Sequence, residues 1–140
     1  MYKRRARVVF FGAATPCVAL LAEALAERFG SQWLDARAAS IGLPAHCPPA
    51  TPDGVALTGA PAVLDEPLLR WADLLVCLDE AAQAACPELP AGVRRVHWPA
   101  VAAVVELGVG DAALRGALEE RIRGMIGGMA LLAGLDGDAP

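Results

Sequence analysis

Four cysteines, Cys17, Cys47, Cys77 and Cys86, are the side chains of this sequence best suited to chemistry. Their spacings match neither a zinc pattern nor a C-x-x-C redox pair, so we expect free thiols in a reducing cytoplasm. Cys17 stands out because it lies near the predicted start of a helix, where the helix dipole lowers a thiol pKa. A redox or metalloid role for Cys17 is one interpretation. The interpretation we favour is a small buried residue on the first helical turn.

The acidic and histidine residues give weaker signals. Asp73 precedes an apolar strand, Asp79 and Glu80 follow it, and His97 flanks a tryptophan. We interpret the acids as strand-end and helix-capping residues, and His97 as a core or edge residue, rather than as groups for acid–base catalysis. The adjacent pair His46-Cys47 is interpreted as a chance loop pair. We therefore expect neither a metal nor a cofactor.

The bulk composition favours a single domain. Its 140 residues, 56% of them hydrophobic, are enough for a core, with a basic tail at 1–6 and a C-terminal tail at 133–140. The formal net charge of −4 disfavours nucleic acid as a partner. No uncharged apolar run reaches the ~20 residues of a membrane span. A signal peptide is disfavoured because Pro16 and Glu23 interrupt the apolar stretch, so a cytoplasmic location is predicted.

Apolar runs alternate with helical periodicity, which predicts a three-layer α/β/α domain with a four-stranded, mainly parallel sheet. Strands are predicted at 7–11, 33–38 (an edge), 74–78 and 93–98. The loop Gly12–Thr15 leads into a helix that Thr15 caps, that has Pro16 at its first position and that ends at Gly30. Further helices are predicted at 66–72, from Asp79 to about 85, and from Asp111 to about 132. Residues 39–64 are predicted to be irregular, with at most one short helix, and either mobile or functional.

The first strand–loop–helix unit carries a specific resemblance. Residues 8–25 read V-V-F-F-G-A-A-T-P-C-V-A-L-L-A-E-A-L. This stretch resembles the opening of low-molecular-weight protein tyrosine phosphatases and related arsenate reductases, V-L-F-V-C-x-G-N-x-x-R-S-x-x-A-E-A-L. Residues 72–79 resemble the strand "A-D-L-V-V-T-M" of that family, and Val96-His97-Trp98 resembles the segment before its acid loop. The likeness covers most of residues 7–132 and implies a phosphate loop at the end of the first strand.

The departures from that family remove its chemistry. Gly12 stands at the position of the nucleophilic cysteine, Val18 at that of the phosphate-binding arginine, and Ala102 at that of the general acid. The structural Asn is replaced by Thr15, and Pro16 removes one N–H from the cradle. The degenerate phosphate loop consists of Gly12, Ala13, Ala14, Thr15, Pro16, Cys17, Val18 and Ala19.

These features predict a catalytically inactive homologue, a pseudophosphatase that acts as a binding, regulatory or dimerising module. One alternative is a diverged phosphatase or arsenate reductase-like enzyme that uses Cys17 as its thiol. Another is a binder of a small ligand above the sheet. The apolar run 99–105 replaces an acidic loop of the family; it either packs over the old phosphate pocket or forms a contact surface for a second copy or another protein. The predicted interface consists of Ala100, Val101, Val104 and Val105. Gly124 and Gly128 are expected to permit close backbone approach.

Overall fold

The computed structural model describes residues 5–42 and 46–137 of the chain. The strands are β1 (Ala6–Phe11), β2 (Leu34–Ser40), β3 (Ala62–Val63), β4 (Leu74–Cys77) and β5 (Arg94–His97). The α-helices are α1 (Pro16–Gly30), α2 (Glu66–Trp71), α3 (Glu80–Ala85), α4 (Pro99–Ala102) and α5 (Ala112–Gly137), and a 3₁₀ turn follows α4 at Val105–Leu107.

The strands form one parallel sheet in the order β3-β2-β1-β4-β5. The central strand β1 has helices over both faces, and its residues 8–11 are completely buried. Such a strand must be apolar on both sides, which is why this segment is a continuous apolar run. The predicted α/β class is confirmed, and the first strand lies at the centre of the sheet.

The sheet has one strand more than predicted. The pair Ala62–Val63 hydrogen-bonds alongside the end of β2, so β2 is not the edge that its alternating sequence suggested. Two residues are too few to show a period of two, which explains why the sequence pattern did not reveal β3. The edge position of β3 agrees with the exposure of both of its residues.

Two apolar clusters lie on opposite faces of the sheet. One is covered by α1 and α5, and the other by α2 and α3. Successive residues of β1 alternate between them, since Val8 and Phe10 face the first cluster while Val9 and Phe11 face the second. This is the predicted three-layer architecture.

Helix α1 begins with Pro16 and ends at Gly30, as predicted. Gly30 is the point at which α1 and α5 approach closely, because a Cβ there would lie 2.4 Å from the Cδ1 atom of Ile126. A Cβ at Gly124 or Gly128 would meet nothing within 4 Å, so the close approach expected at these two glycines is wrong. Helix α5 continues to Gly137, beyond the predicted end at 132.

The long connection after β2 is ordered over residues 46–58. Ala50 bridges to Ala56, and the N–H of Thr51 donates to the carbonyl oxygen of Val55 at 2.9 Å. The buried side chains of Val55 and Leu57 join the cluster under α1. This turn therefore packs as part of the core. Within the described part of the chain, no helix combines the length and apolar character that crossing a membrane requires.

Candidate functional site

The loop after β1 is closed by its own backbone. A Cβ atom at Gly12 would lie 2.5 Å from the carbonyl oxygen of Thr15 and 3.1 Å from its hydroxyl oxygen. That carbonyl accepts the N–H groups of Val18 and Ala19, at 3.1 and 3.2 Å. The position where the resembled family carries a nucleophile is therefore occupied by the first turn of α1.

The carboxylate of Asp79 is bound to this loop. Asp79 is only 3% exposed, and its Oδ2 atom accepts the N–H of Ala14 at 3.0 Å and the hydroxyl of Thr15 at 2.8 Å. Its Oδ1 atom accepts the N–H of Ala82 at 2.6 Å and so caps α3, as predicted. Thr15 makes no side-chain cap to α1, contrary to the sequence prediction, because its hydroxyl is used by Asp79. A negative charge of the chain itself thus takes two of the donors of this loop, the Ala14 N–H and the Thr15 hydroxyl.

Val18, at the position where the resembled family has an arginine, is apolar and enclosed. Val18 is 2% exposed and lies in the same apolar cluster as Trp98. Arg37 and Arg70 do not take the place of the missing arginine. Arg37 stacks on the Trp71 ring with its Cζ atom 4.3 Å from the centroid, and Arg70 pairs with Glu66. Neither of these two arginines therefore supplies the bidentate cation that clamps a phosphate.

The thiol of Cys17 is not free. Cys17 and Cys47 form a disulfide with Cα atoms 5.4 Å apart, whereas Cys77 and Cys86 are free. The expectation of four free thiols is wrong, because the turn at 46–58 folds back over α1 and brings Cys47 to its first turn. The favoured interpretation of Cys17 as a small buried residue is also wrong, since the half-buried side chain forms a covalent cross-link. His46 precedes Cys47 on this exposed segment.

The apolar run after β5 turns mostly inward. Val101 is completely buried and Val105 is 4% exposed, and both belong to the cluster that contains Val18. This corrects the prediction of an exposed contact surface at Val101 and Val105, because a short helix and a 3₁₀ turn direct these two side chains into the core. Ala100 is exposed, while Val104 is half-buried and packs against the same cluster. Ala102, at the predicted general-acid position, is also half-buried.

The remaining polar residues singled out in the sequence do not meet at one site. Asp73 accepts the N–H of Arg7 at 2.9 Å at the opposite end of the sheet from Asp79, which is the predicted strand-end role. His97 ends β5, half-buried, with its Nε2 atom 3.9 Å from a carboxylate oxygen of the exposed Glu80. Among the described residues, no three His, Cys, Asp or Glu side chains are grouped as metal ligands would be.

Comparison with known proteins identifies the fold. The thioredoxin-dependent arsenate reductase of Corynebacterium glutamicum superposes with a TM-score of 0.66 at 18% identity, over 94% of this chain and 65% of that one. The YwlE arginine phosphatase of Bacillus subtilis gives 0.60 at 18% identity, over 89% and 95% of the two chains. The arsenate reductase of Archaeoglobus fulgidus gives 0.57 at 25% identity, over 86% and 98%. The chain has the low-molecular-weight phosphatase and arsenate reductase fold. It spans just under two thirds of the Corynebacterium reductase, and no protein-family profile or curated protein sequence matches it.

Sequence reasoning did not identify one carboxyl group with a shifted pKa, that of Glu23 on α1. Glu23 lines a cavity of about 560 Å³ between α1 and residues 54–58, together with Glu27 and Arg28. Burial, and secondly the charge of Glu27, raise the pKa of Glu23 to about 7. In the fold, residues 54–58 line the cavity beside Glu23, and Arg37 and Ala38 of β2 also act on its carboxyl group. The sequence gives no sign of this burial, because none of these residues is a neighbour of Glu23 along the chain.

Proposed function

We propose that this chain is a non-catalytic member of the low-molecular-weight phosphatase group, a pseudophosphatase that acts by binding. One observation carries the proposal: the space for a side chain at Gly12 is filled by the Thr15 carbonyl group, and Asp79 accepts the Ala14 N–H and the Thr15 hydroxyl of the loop. An attacking thiolate, a clamping cation and a proton donor are the three groups that the reaction of this fold would require. Gly12, Val18 and Ala102 supply none of them.

The test of this proposal is turnover of p-nitrophenyl phosphate and reduction of arsenate, each measured before and after treatment with a thiol reductant. We expect both rates to equal the buffer rate in both states. The competing function, an enzyme that uses Cys17, requires the Cys17–Cys47 disulfide to be opened first. Turnover that appears only after reduction and disappears in Cys17→Ala, but persists in Cys86→Ala, would establish that enzyme and refute the proposal.

The contact surface that we propose for binding is a groove between β5 and α5. It has a volume of about 460 Å³, and its lining includes the exposed Ala100 and the apolar residues Val96 and Met125. Glu120 and Arg121 stand on its α5 side with opposite charges. A second copy related by a twofold axis could pair each of these charges with its opposite, so we propose a homodimer.

Light scattering of the eluted protein tests this surface. Ala100→Asp places an unpaired charge in the groove and should convert a dimer into a monomer, whereas Ala113→Asp, exposed on the first turn of α5, should leave the dimer unchanged. Val101 is unsuitable for this test because an aspartate there would be completely buried. A monomeric wild type at every concentration would exclude self-association through the groove.

A further inference from the structure

The two ends of the sheet carry different charges. All five strands are parallel, so they begin at one end of the sheet and finish at the other. Helices α2 and α3 each start directly after a strand, at the end where the strands finish. Asp65 and Asp79 cap these helices, and an acidic residue follows each cap, because a helix N-terminus is stabilised by negative charge. We call the surface around these two caps the acidic end.

The opposite end of the sheet carries arginines. Arg7 and Arg37, from the neighbouring strands β1 and β2, lie over the ring of Trp71 at the end of α2, with their Cζ atoms 5.7 and 4.3 Å from its centroid. Two more arginines begin β5, beside the start of β4. Another lies in the last turn of α1, the helix that runs back from the finish of β1. We call this surface the basic end; its arginines are Arg7, Arg28, Arg37, Arg94 and Arg95.

The charges of these arginines are not paired within the described part of the chain. None of the five forms an ion pair with another described residue, and all but Arg7 are exposed. Of the acids in this region, Asp35 pairs with a different arginine at 2.8 Å, and Asp73 accepts the backbone N–H of Arg7 at 2.9 Å. The exposed Glu27 and Glu88 are fewer than the arginines. The basic end is therefore positive, although the net charge of the chain is −4.

Helix α5 runs toward the basic end and continues past it. Ala117, in the first half of α5, lines the groove beside Ala100, where β5 has already finished. Ile126 instead meets Gly30, the last residue of α1. Beyond this contact α5 continues to Gly137, which at about 1.5 Å per residue adds about 16 Å. The last part of α5 therefore projects from the side of the molecule that carries the arginines.

This projecting part of α5 is apolar. Residues 124–135 contain no charged side chain. Leu131 is 66% exposed, the largest exposed fraction among the large apolar side chains of the described structure. A segment of this length is too short to span a bilayer, but it suits a position in the interface between headgroups and hydrocarbon.

A partner of this surface must match both a spread of cations and an apolar helix end. Neighbouring strands lie about 4.8 Å apart, so the arginines of β2 and β5 are separated by about 15 Å across the sheet. The cavity beside Arg28 and the groove beside Arg94 both contain carboxylates as well, and Arg37 covers the ring of Trp71. A single-stranded nucleic acid needs a basic groove and free aromatic faces, so it fits poorly. A bilayer with anionic lipids offers phosphates to the guanidinium groups and hydrocarbon to the helix end.

We propose that this chain docks on bilayers that contain anionic phospholipids. The arginines of the basic end lie at the phosphate layer, and the projecting end of α5 lies in the interface. The acidic end faces water, because the negative surface potential of the bilayer repels it. Charge and apolar area together supply the two signals that stable membrane anchoring requires. This inference does not depend on the proposed function, because the loop at Gly12 follows the finish of β1, at the opposite end of the sheet.

Sedimentation of the full chain with vesicles tests the docking. The chain should sediment with vesicles of phosphatidylcholine mixed with phosphatidylglycerol but not with phosphatidylcholine alone, and raising the salt from about 0.05 to 0.5 M should weaken binding. The double variant Arg37→Gln, Arg95→Gln should bind about thirtyfold more weakly, the effect of two cations near an anionic surface. The matched control Ala81→Glu, Ala113→Glu has the same net charge, but its exposed new acids lie at the starts of α3 and α5. It should bind as the wild type does.

A pair of leucine variants tests the apolar contact. Leu131 and Leu107 are 66% and 58% exposed, but Leu107 lies in the 3₁₀ turn before α5, away from the basic end. Leu131→Ser should weaken vesicle binding by about tenfold, the effect of losing one buried leucine side chain, and Leu107→Ser should not. The proposal is overturned if the wild type ignores the mixed vesicles, binds phosphatidylcholine equally well, or binds duplex DNA instead. Equal losses in both double charge variants, or in both leucine variants, would overturn it as well.

Discussion

Replacement of Asp79 by alanine tests whether the loop after β1 is held by a charge of the chain itself. The substitution removes the cap on the Ala82 N–H, worth about 1 kcal/mol. It also leaves the Ala14 N–H and the Thr15 hydroxyl without their acceptor, at about 1–3 kcal/mol each when buried. Because both donors are only part-buried, we take the lower end and expect a loss of about 3 kcal/mol in the free energy of unfolding. Urea denaturation followed by circular dichroism measures it.

The matched control is Asp65→Ala. Asp65 caps α2 in the same way, accepting the N–H of Leu68 at 2.9 Å, but it is exposed and bonds no distant loop in the described structure. Its loss should cost about 1 kcal/mol. The informative quantity is the difference of about 2 kcal/mol between the two variants. If Asp79→Ala costs no more than Asp65→Ala, the carboxylate contributes only a helix cap, and the account of the closed loop is refuted.

Three further predictions concern stability. The pKa of Glu23 is raised from 4.5 to about 7, so the folded state binds a proton that the unfolded state releases, and the free energy of unfolding should fall as pH rises from 4.5 to 7. Glu23→Gln should flatten this pH profile and, after solvent screening, stabilise the protein at pH 8 by about 1 kcal/mol. An unchanged profile in the variant would contradict the raised pKa of Glu23. Opening the Cys17–Cys47 disulfide, which closes a 30-residue loop, should lower the free energy of unfolding by about 3.5 kcal/mol. Cys47→Ala should make urea unfolding insensitive to reductant. An equal effect of reductant on the wild type and on this variant would refute the cross-link. Gly30→Ala should destabilise the protein by about 1 kcal/mol, because the new Cβ would meet the buried Ile126 of α5. Gly124→Ala should stabilise it by about 0.5–1 kcal/mol, because that helical position has open space around it. Thermal melts that rank the two variants the other way would contradict the packing described between α1 and α5.

Local patterns were sufficient to predict the first strand, the loop after it and the start of α1. The apolar run ending at Phe11, the small loop and the proline at the first helical position each depend on neighbours in the sequence, and all three are found as predicted. The capping role of Asp79 is local in the same sense, since its partner is three residues away.

Features that depend on the path of the chain could not be predicted in this way. The Cys17–Cys47 disulfide joins residues 30 positions apart, and no periodicity reports how a turn folds back over a helix. The inward direction of Val101 has a similar cause, because an apolar run has the same sequence whether it covers a pocket or faces solvent. The same turn lines the cavity beside Glu23, so the burial of this side chain could not be predicted for the same reason as the disulfide.

The geometry at Gly12 has a consequence for protein engineering. A Gly12→Cys substitution would place its Cβ against the backbone of Thr15, so the variant would distort the loop before its thiol could react. A nucleophile could therefore be introduced at this position only together with changes that move the turn at Thr15 away, and a single substitution is a poor starting point for building an enzyme on this chain.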